Sequence, residues 1–95
     1  MLSPKSKALL KRLANPLKPS LSLGKGPIDD RLVEALDKAL KAHELVKVRV
    51  LASVAANKNE LAGEIARKSA SELVAVIGRV AILYKPRKEN PSIVL

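Results

Sequence analysis

The 95-residue sequence contains no cysteine, phenylalanine or tryptophan, and it has one tyrosine and one histidine. Without cysteine it forms neither disulfide bonds nor thiolate metal sites, which is compatible with a reducing compartment. One histidine and no pair of carboxylates at a recognisable catalytic spacing leave little from which an active site could be built. We therefore expect neither an enzyme nor a metal or cofactor site. His43 is expected to cap the C-terminal end of its helix and to stabilise it through the helix dipole.

Long hydrophobic runs are also missing. The longest ones lie near residues 73–77 and 80–84 and are far too short to span a bilayer, and lysines interrupt the N-terminal region where a signal peptide would need an apolar core. We expect a soluble cytoplasmic protein without membrane association. Apolar residues still make up 47% of the chain, which is enough for one folded domain over residues 1–95, with an extended tail over 85–95.

The scarcity of aromatic residues excludes one large group of nucleic-acid-binding surfaces. RRM, OB and cold-shock domains stack several bases on exposed aromatic side chains, and this chain has a single tyrosine for that purpose. Any nucleic acid would have to be recognised through its backbone and shape, so we expect weak sequence specificity.

Acidic residues are few, and the formal net charge is +9 at pH 7. Residues 1–25 contain six basic and no acidic residues, residues 26–78 are balanced, and residues 79–95 are again basic. If the fold brings the two ends together, they form one basic surface that binds a polyanion with release of counterions. The alternative is that the high charge only aids solubility.

Hydrophobic periodicity and capping residues predict seven elements. They are a helix begun by Ser3-Pro4 and ended by Asn15-Pro16, a strand at Leu21–Leu23, a helix from about Asp30 to Ala42, a strand at Leu45–Leu51, a helix from Asn57 to about Lys68, and strands at Glu72–Ile77 and Val80–Tyr84. The last two strands are expected to form a hairpin through Gly78-Arg79.

This order predicts an α/β fold of two layers, in which the second and third helices back a mixed four-stranded sheet and the first helix packs beside them. In the second strand, valines alternate with Lys47 and Arg49, which predicts a sheet that is covered on only one face at this point. The apolar stripe expected on the first helix comprises Leu9, Leu10, Leu13 and Leu17.

The stretch Gly24-Lys25-Gly26-Pro27 joins the first strand to the second helix. The glycines permit positive φ and close approach of a ligand, and Lys25 adds a cation. The helix that follows, capped by Asp29, directs free N–H groups toward the turn. We interpret this loop as a phosphate-binding element; the alternative is an ordinary tight turn.

Several stretches together resemble the bacterial YhbY proteins, the single-domain form of the CRM (chloroplast RNA splicing and ribosome maturation) domain. They are Leu13-Ala14-Asn15-Pro16-Leu17-Lys18-Pro19, Leu23-Gly24, Ala39-Leu40, His43-Glu44-Leu45-Val46-Lys47-Val48, Val76-Ile77-Gly78-Arg79 and Leu83-Tyr84-Lys85-Pro86. The resemblance implies an α-β-α-β-α-β-β fold similar to the C-terminal domain of translation initiation factor three. It also implies RNA binding and association with precursors of the large ribosomal subunit.

One departure from the family pattern falls in the loop Gly24-Lys25-Gly26-Pro27. The family has Gly-x-x-Gly between the first strand and the second helix, whereas the second glycine here is replaced by Pro27, which offers no N–H group and fixes φ. Lys25 can compensate as a point charge, which favours affinity over geometric selectivity.

The candidate RNA-binding residues are the loop and the basic side chains near the two ends and on the second strand. They are Gly24, Lys25, Gly26, Lys5, Lys7, Lys11, Arg12, Lys18, Lys47, Arg49, Arg79, Lys85, Arg87 and Lys88. The alternative for each cation is an ordinary solvated surface position. The predicted function is RNA binding by a monomer during ribosome assembly; the alternative is a general docking module for nucleic acid or an acidic partner.

Overall fold

In the part of the chain that the structure describes, three helices and four strands follow one another in the predicted order. The computed structural model describes residues 2–23, 28–51, 57–87, 91 and 93. The elements are α1 (Pro4–Ala14), β1 (Leu21–Leu23), α2 (Asp30–His43), β2 (Leu45–Val50), α3 (Lys58–Lys68), β3 (Glu72–Ile77) and β4 (Val80–Tyr84). The predicted sequence of elements is confirmed. Among the described residues, no helix is both long and apolar enough to cross a membrane.

Each helix begins at the polar residue that its sequence predicts. The Ser3 side chain accepts a hydrogen bond from the Ser6 N–H at 3.1 Å, and Pro4 follows at the first helical position. Asp29 accepts from the Leu32 N–H at 3.0 Å, and Asn57 accepts from the Asn59 N–H at 2.8 Å. These bonds satisfy N–H groups that have no partner within a helix, typically stabilising it by about 1 kcal/mol.

The four strands form one mixed sheet in the order β1-β2-β4-β3. β1 and β2 are parallel, and β4 is antiparallel to both β2 and β3. At the predicted hairpin between β3 and β4, Gly78 has a φ of 59°, and no such positive φ occurs at Arg79. A positive φ at the first turn residue alone is the pattern of a type II′ turn, which favours glycine there.

One face of the sheet packs against α2 and α3. Leu36 and Leu40 from α2 and Ile65 from α3 are at most 1% exposed, and they meet alternate side chains of β2. These strand residues are Val46, Val48 and Val50, joined by Leu83 of β4. Burial of each such side chain stabilises the fold by about 1.5–3 kcal/mol. This larger cluster is the core that the sequence predicts.

The position of α1 corrects the predicted two-layer arrangement. Leu10 and Ala14 of α1 are fully buried against the opposite face of the sheet, on Leu45, Ile82 and Tyr84, and not beside α2 and α3. Side chains of a strand alternate between faces, so these three strand residues cannot reach the first cluster and need a cover of their own. α1 therefore adds a third layer over part of the sheet.

The apolar stripe of α1 is narrower than predicted. Leu13 and Leu17 are each 41% exposed. Leu2 near the N-terminus and Ile93 near the C-terminus pack against the same second cluster as Leu10. The two ends of the chain therefore meet on the α1 side of the sheet.

Candidate nucleic-acid interface

Acidic side chains are concentrated in the α2–α3 layer of the protein. The ion pairs among the described residues lie there: Lys38–Glu34 at 3.8 Å, Lys41–Asp37 at 3.4 Å, Lys68–Glu64 at 3.5 Å and Lys85–Asp37 at 3.5 Å. No acidic residue occurs in α1, in β1 or in the segment that joins them. The excess of positive charge therefore lies on the α1 side.

Four of the predicted RNA-binding cations are used to hold the fold. Arg79 donates from Nε to the Val50 carbonyl at 3.0 Å and from Nη2 to the Leu51 carbonyl at 2.8 Å. These carbonyls lie at the end of β2, next to the turn that carries Arg79. The guanidinium thus fixes the hairpin turn to the end of the neighbouring strand.

Arg87 caps the C-terminal end of α2. Its Nε donates to the Lys41 carbonyl at 2.9 Å, and its Nη2 donates to the Ala42 carbonyl. The backbone N–H of Arg87 donates to the Glu44 carboxylate at 3.0 Å. Glu44 is fully buried and has a φ of 61°, an uncommon conformation for a residue other than glycine. The segment after β4 therefore fixes the corner between α2 and β2.

Lys85 binds at the same end of the sheet. Its Nζ donates to the Ser69 carbonyl at 3.1 Å and to the Asp37 carboxylate at 3.5 Å. Burial alone would raise the pKa of Asp37, but the ammonium groups of Lys41 and Lys85 outweigh this effect and lower it below its usual value. Arg79 precedes β4 and Lys85 follows it, so the two side chains lie at opposite ends of a strand that spans about 13 Å at about 3.3 Å per residue.

Lys47 anchors the segment that follows α1. Its Nζ donates to the Leu17 carbonyl at 3.0 Å and to the Asn15 carbonyl at 3.3 Å. The backbone carbonyl of Lys47 also accepts from the Ser20 N–H at 2.9 Å. A side chain predicted to bind RNA therefore holds residues 15–20 against the sheet.

Six further predicted cations lie among the described residues, and their side chains make no hydrogen bond or ion pair with other described residues. They are Lys5, Lys7, Lys11, Arg12, Lys18 and Arg49, of which Lys7 is half-buried and the others are exposed. Five of them lie on α1 and the segment after it, and Arg49 lies on the same face of the sheet as that segment. These side chains can bind an external anion without first breaking an internal contact.

Two shallow depressions meet at Lys47. One, of about 280 Å³, is lined by Lys11, Asn15, Pro19, Lys47, Arg49, Ile77, Val80 and Ile82. The other, of about 310 Å³, is lined by Leu17, Lys18, Ser20, His43, Leu45 and Lys47. Neither lining contains an acidic residue, whereas the depression beside α2 contains Asp30, Glu34 and Asp37. We call Lys11, Lys18, Lys47 and Arg49, with the segment 15–20 between them, the linker surface.

The predicted phosphate-binding loop, residues 24–27, lies outside the described residues, as does Lys88. The described residues on either side of the loop are in their predicted places: Leu23 ends β1, and Ile28 packs on the core before α2. At the N-terminal end of α2, however, the side chain of the preceding residue Asp29 already accepts from the Leu32 N–H, and Asp30 adds a second carboxylate in the first turn. These acidic groups weaken the attraction of the helix terminus for an anion.

Tyr84, the only tyrosine, is 4% exposed and packs in the second cluster. Its ring is therefore not presented for stacking on a base. Burial, and then the negative charge of Glu44, raises the pKa of its hydroxyl group above 10.0. The linker surface therefore has no aromatic side chain on which a base could stack.

The sequence as a whole matches known proteins over nearly its full length. A family model described as the CRS1 / YhbY (CRM) domain matches residues 2–85. The chain belongs to this family. The resemblance seen in its motifs is thereby confirmed, and so is the mixed α/β fold expected from it.

Relatives of this CRM-domain protein are named for RNA binding. The Probable RNA-binding protein YqeI of Bacillus subtilis is 40% identical over 95 residues, covering 100% of this chain and 99% of that protein. An RNA-binding protein of Haemophilus influenzae is 34% identical, covering 93% of this chain and 89% of its own length. The solution structure of SAV1595 from Staphylococcus aureus, described as a candidate RNA-binding protein, has a TM-score of 0.84 at 39% identity and covers 100% of this chain and 99% of its own.

Proposed function

We propose that this protein is an RNA-binding factor that associates with ribosomal RNA in precursors of the large ribosomal subunit. The observation that carries the proposal is the linker surface, where the side chains of Lys11, Lys18 and Arg49, which have no partner among the described residues, line depressions without an acidic residue. The names of the relatives support RNA as the ligand. The large-subunit precursor rests on the resemblance to the YhbY proteins.

Binding on this surface is electrostatic in origin. Lys11 and Lys18 extend from α1 and the following segment as flexible point charges, and Arg49 adds a planar guanidinium that can donate to a phosphate in two directions. Each neutralised phosphate releases counterions, so the affinity falls steeply with salt concentration. Ser22 of β1 pairs with Arg49, so β1 ends beside the linker surface.

We further propose that the protein acts as a cytoplasmic monomer and that its role is binding, not catalysis. The role in ribosome assembly would be tested by sucrose-gradient fractionation of cell extracts. Co-migration with large-subunit precursors is the expected outcome, and absence from every ribosomal fraction would contradict it.

A direct binding experiment compares two triple variants. The first, Lys11→Ala, Lys18→Ala and Arg49→Ala, removes cations of the linker surface. The second, Lys38→Ala, Lys41→Ala and Arg67→Ala, removes the same charge from the α2–α3 layer. Fluorescence anisotropy with a fragment of large-subunit ribosomal RNA should show the log–log salt slope reduced by about two to three units in the first variant only.

A competition measurement with the wild-type protein tests the alternative of a general docking module. Equal affinity for a DNA duplex and for the ribosomal RNA fragment, measured by competition, would favour a general module over a ribosomal factor. Equal losses in the two triple variants would show that RNA responds to the net charge of the protein and not to the linker surface.

A further inference from the structure

One row of side chains crosses the sheet beyond the end of α1. Ser22 of β1 pairs with Arg49 of β2, Arg49 pairs with Val80 of β4, and Val80 pairs with Ile77 of β3. All four residues lie on the face that α1 covers, but α1 packs on rows nearer the other end, at Leu45, Ile82 and Tyr84. We call Ser22, Arg49, Val80 and Ile77 the open row.

The open row is the place where a large apolar side chain is most exposed in the described part of the chain. Ile77 is 57% exposed, Val80 beside it is half-buried, and Arg49 is exposed. The depression of about 280 Å³ that borders these residues also contains Lys11 and Lys47. Apolar surface, a free guanidinium and lysine ammonium groups therefore face the same space.

We propose that the open row binds an unpaired base of the RNA. One face of the base packs against Ile77 and Val80, and the Arg49 guanidinium stacks on the other face. Lys11 binds the adjoining phosphate. This inference rests on the proposed function, because it names the part of the RNA that the linker surface receives. Arginine guanidinium planes stack on unpaired bases, and aliphatic side chains cover the remaining face of the ring.

The chemistry of the row favours RNA over other occupants. A purely apolar partner would leave Arg49 and Lys11 without a counter-charge, since the lining contains no acidic residue. The interior of an RNA duplex would supply phosphates but would keep its base faces stacked and out of reach. A single-stranded loop or bulge supplies both a phosphate for the cations and a free base face for the apolar side chains.

The floor of this site is held rigidly. The ammonium group of Lys47 binds the carbonyls of Asn15 and Leu17, and Arg79 binds the end of β2 beside Arg49. These contacts fix the backbone around the open row before RNA binds. The cost of ordering the site is therefore confined mainly to the side chains of Arg49 and Lys11.

The experiment compares two single-stranded RNA oligonucleotides of equal length and charge, one with all its bases and one with abasic sites in its central half. The wild-type protein should bind the complete oligonucleotide about five- to tenfold more tightly, in the range of a single stacked base. Ile77→Ala and Arg49→Lys should both reduce this ratio to about twofold or less. Arg49→Lys preserves the charge, so its affinity for the abasic oligonucleotide should change little.

Leu51→Ala is the matched control, because Leu51 is 39% exposed yet lies outside the lining of the depression. This variant should keep the wild-type ratio, and thermal unfolding should confirm that all variants are folded. A wild-type ratio near one would overturn the inference while leaving RNA binding intact, as would equal losses on both oligonucleotides in the Ile77→Ala variant. A dimer abolished by Ile77→Ala would assign the row to a second copy, and no binding to any RNA would overturn the proposed function as well.

Discussion

Replacing Arg79 with alanine tests whether the basic residues divide into those that hold the backbone and those that bind RNA. The Arg79 guanidinium donates hydrogen bonds of 3.0 and 2.8 Å to the carbonyls of Val50 and Leu51. A hydrogen bond from a charged donor contributes about 1.5–3 kcal/mol when it is buried. Arg79 is exposed and water can replace it at these carbonyls, so we expect a total loss of only about 1–2 kcal/mol for the pair.

In a domain of this size, the expected loss corresponds to a fall of about 5–10 °C in the midpoint of thermal unfolding. Circular dichroism in the far ultraviolet measures this midpoint. Arg67→Ala is the matched control, because Arg67 is an exposed arginine in the last turn of α3 and its removal should change stability by at most about 0.5 kcal/mol.

RNA affinity should depend on Arg49 and not on Arg79. At a temperature where all variants are folded, Arg79→Ala should retain affinity within about twofold, whereas Arg49→Ala should weaken binding and reduce the salt slope by about one unit. The reasoning is refuted if Arg79→Ala unfolds at the wild-type temperature and loses RNA affinity with a reduced salt slope. Arg79 would then contact RNA, and its bonds to the carbonyls would be dispensable.

The other predictions concern titration and the loop. Because burial and the charge of Glu44 raise the pKa of Tyr84, stability should be retained below pH 10.0 and lost above it, and Tyr84→Phe should remove this alkaline loss in pH-dependent unfolding. The midpoint of the rise in phenolate absorbance of this single tyrosine should lie above pH 10.0. A midpoint at the ordinary tyrosine pKa of 10.0 would contradict the burial of Tyr84. Asp37 has a lowered pKa, so Asp37→Asn should destabilise the protein at neutral pH, and its difference from wild type should vanish as the pH falls from 3.8 through the folded-state pKa. Lys25→Ala should weaken RNA binding by about 1 kcal/mol and reduce the salt slope by about one unit, and an unchanged slope would remove Lys25 from the interface.

The order of the elements could be predicted because its determinants are local. Ser3, Asp29 and Asn57 cap the helices through hydrogen bonds to residues two or three positions away, and Gly78 permits the tight turn between β3 and β4. The third layer is not predicted by the sequence analysis, although the composition of β4 indicates it. All five residues of Val80–Tyr84 are apolar, and a continuous apolar strand is typical of a sheet covered on both faces.

The roles of the individual cations could not be predicted from the sequence. Lys47, Arg79, Lys85 and Arg87 bind backbone carbonyls, and a carbonyl is present at every residue, so no particular residue type announces the contact. The partners lie 16 to 46 positions away in the chain and become neighbours only when the strands pair. A count of charges predicts the basic surface but not which of its members are free.

The position of α1 connects the stability of the protein with its charge distribution. Leu10 and Ala14 close the second cluster on one side of the helix, while Lys11 and Arg12 project from the same turns into solvent. Acidic residues are concentrated in the layer on the opposite face of the sheet, where they pair with lysines. One short helix therefore covers apolar strand residues and also makes this face of the sheet basic. Because α1 ends before the open row, the same face retains an uncovered apolar strip beside its cations, which allows a protein without an exposed aromatic platform to contact a base.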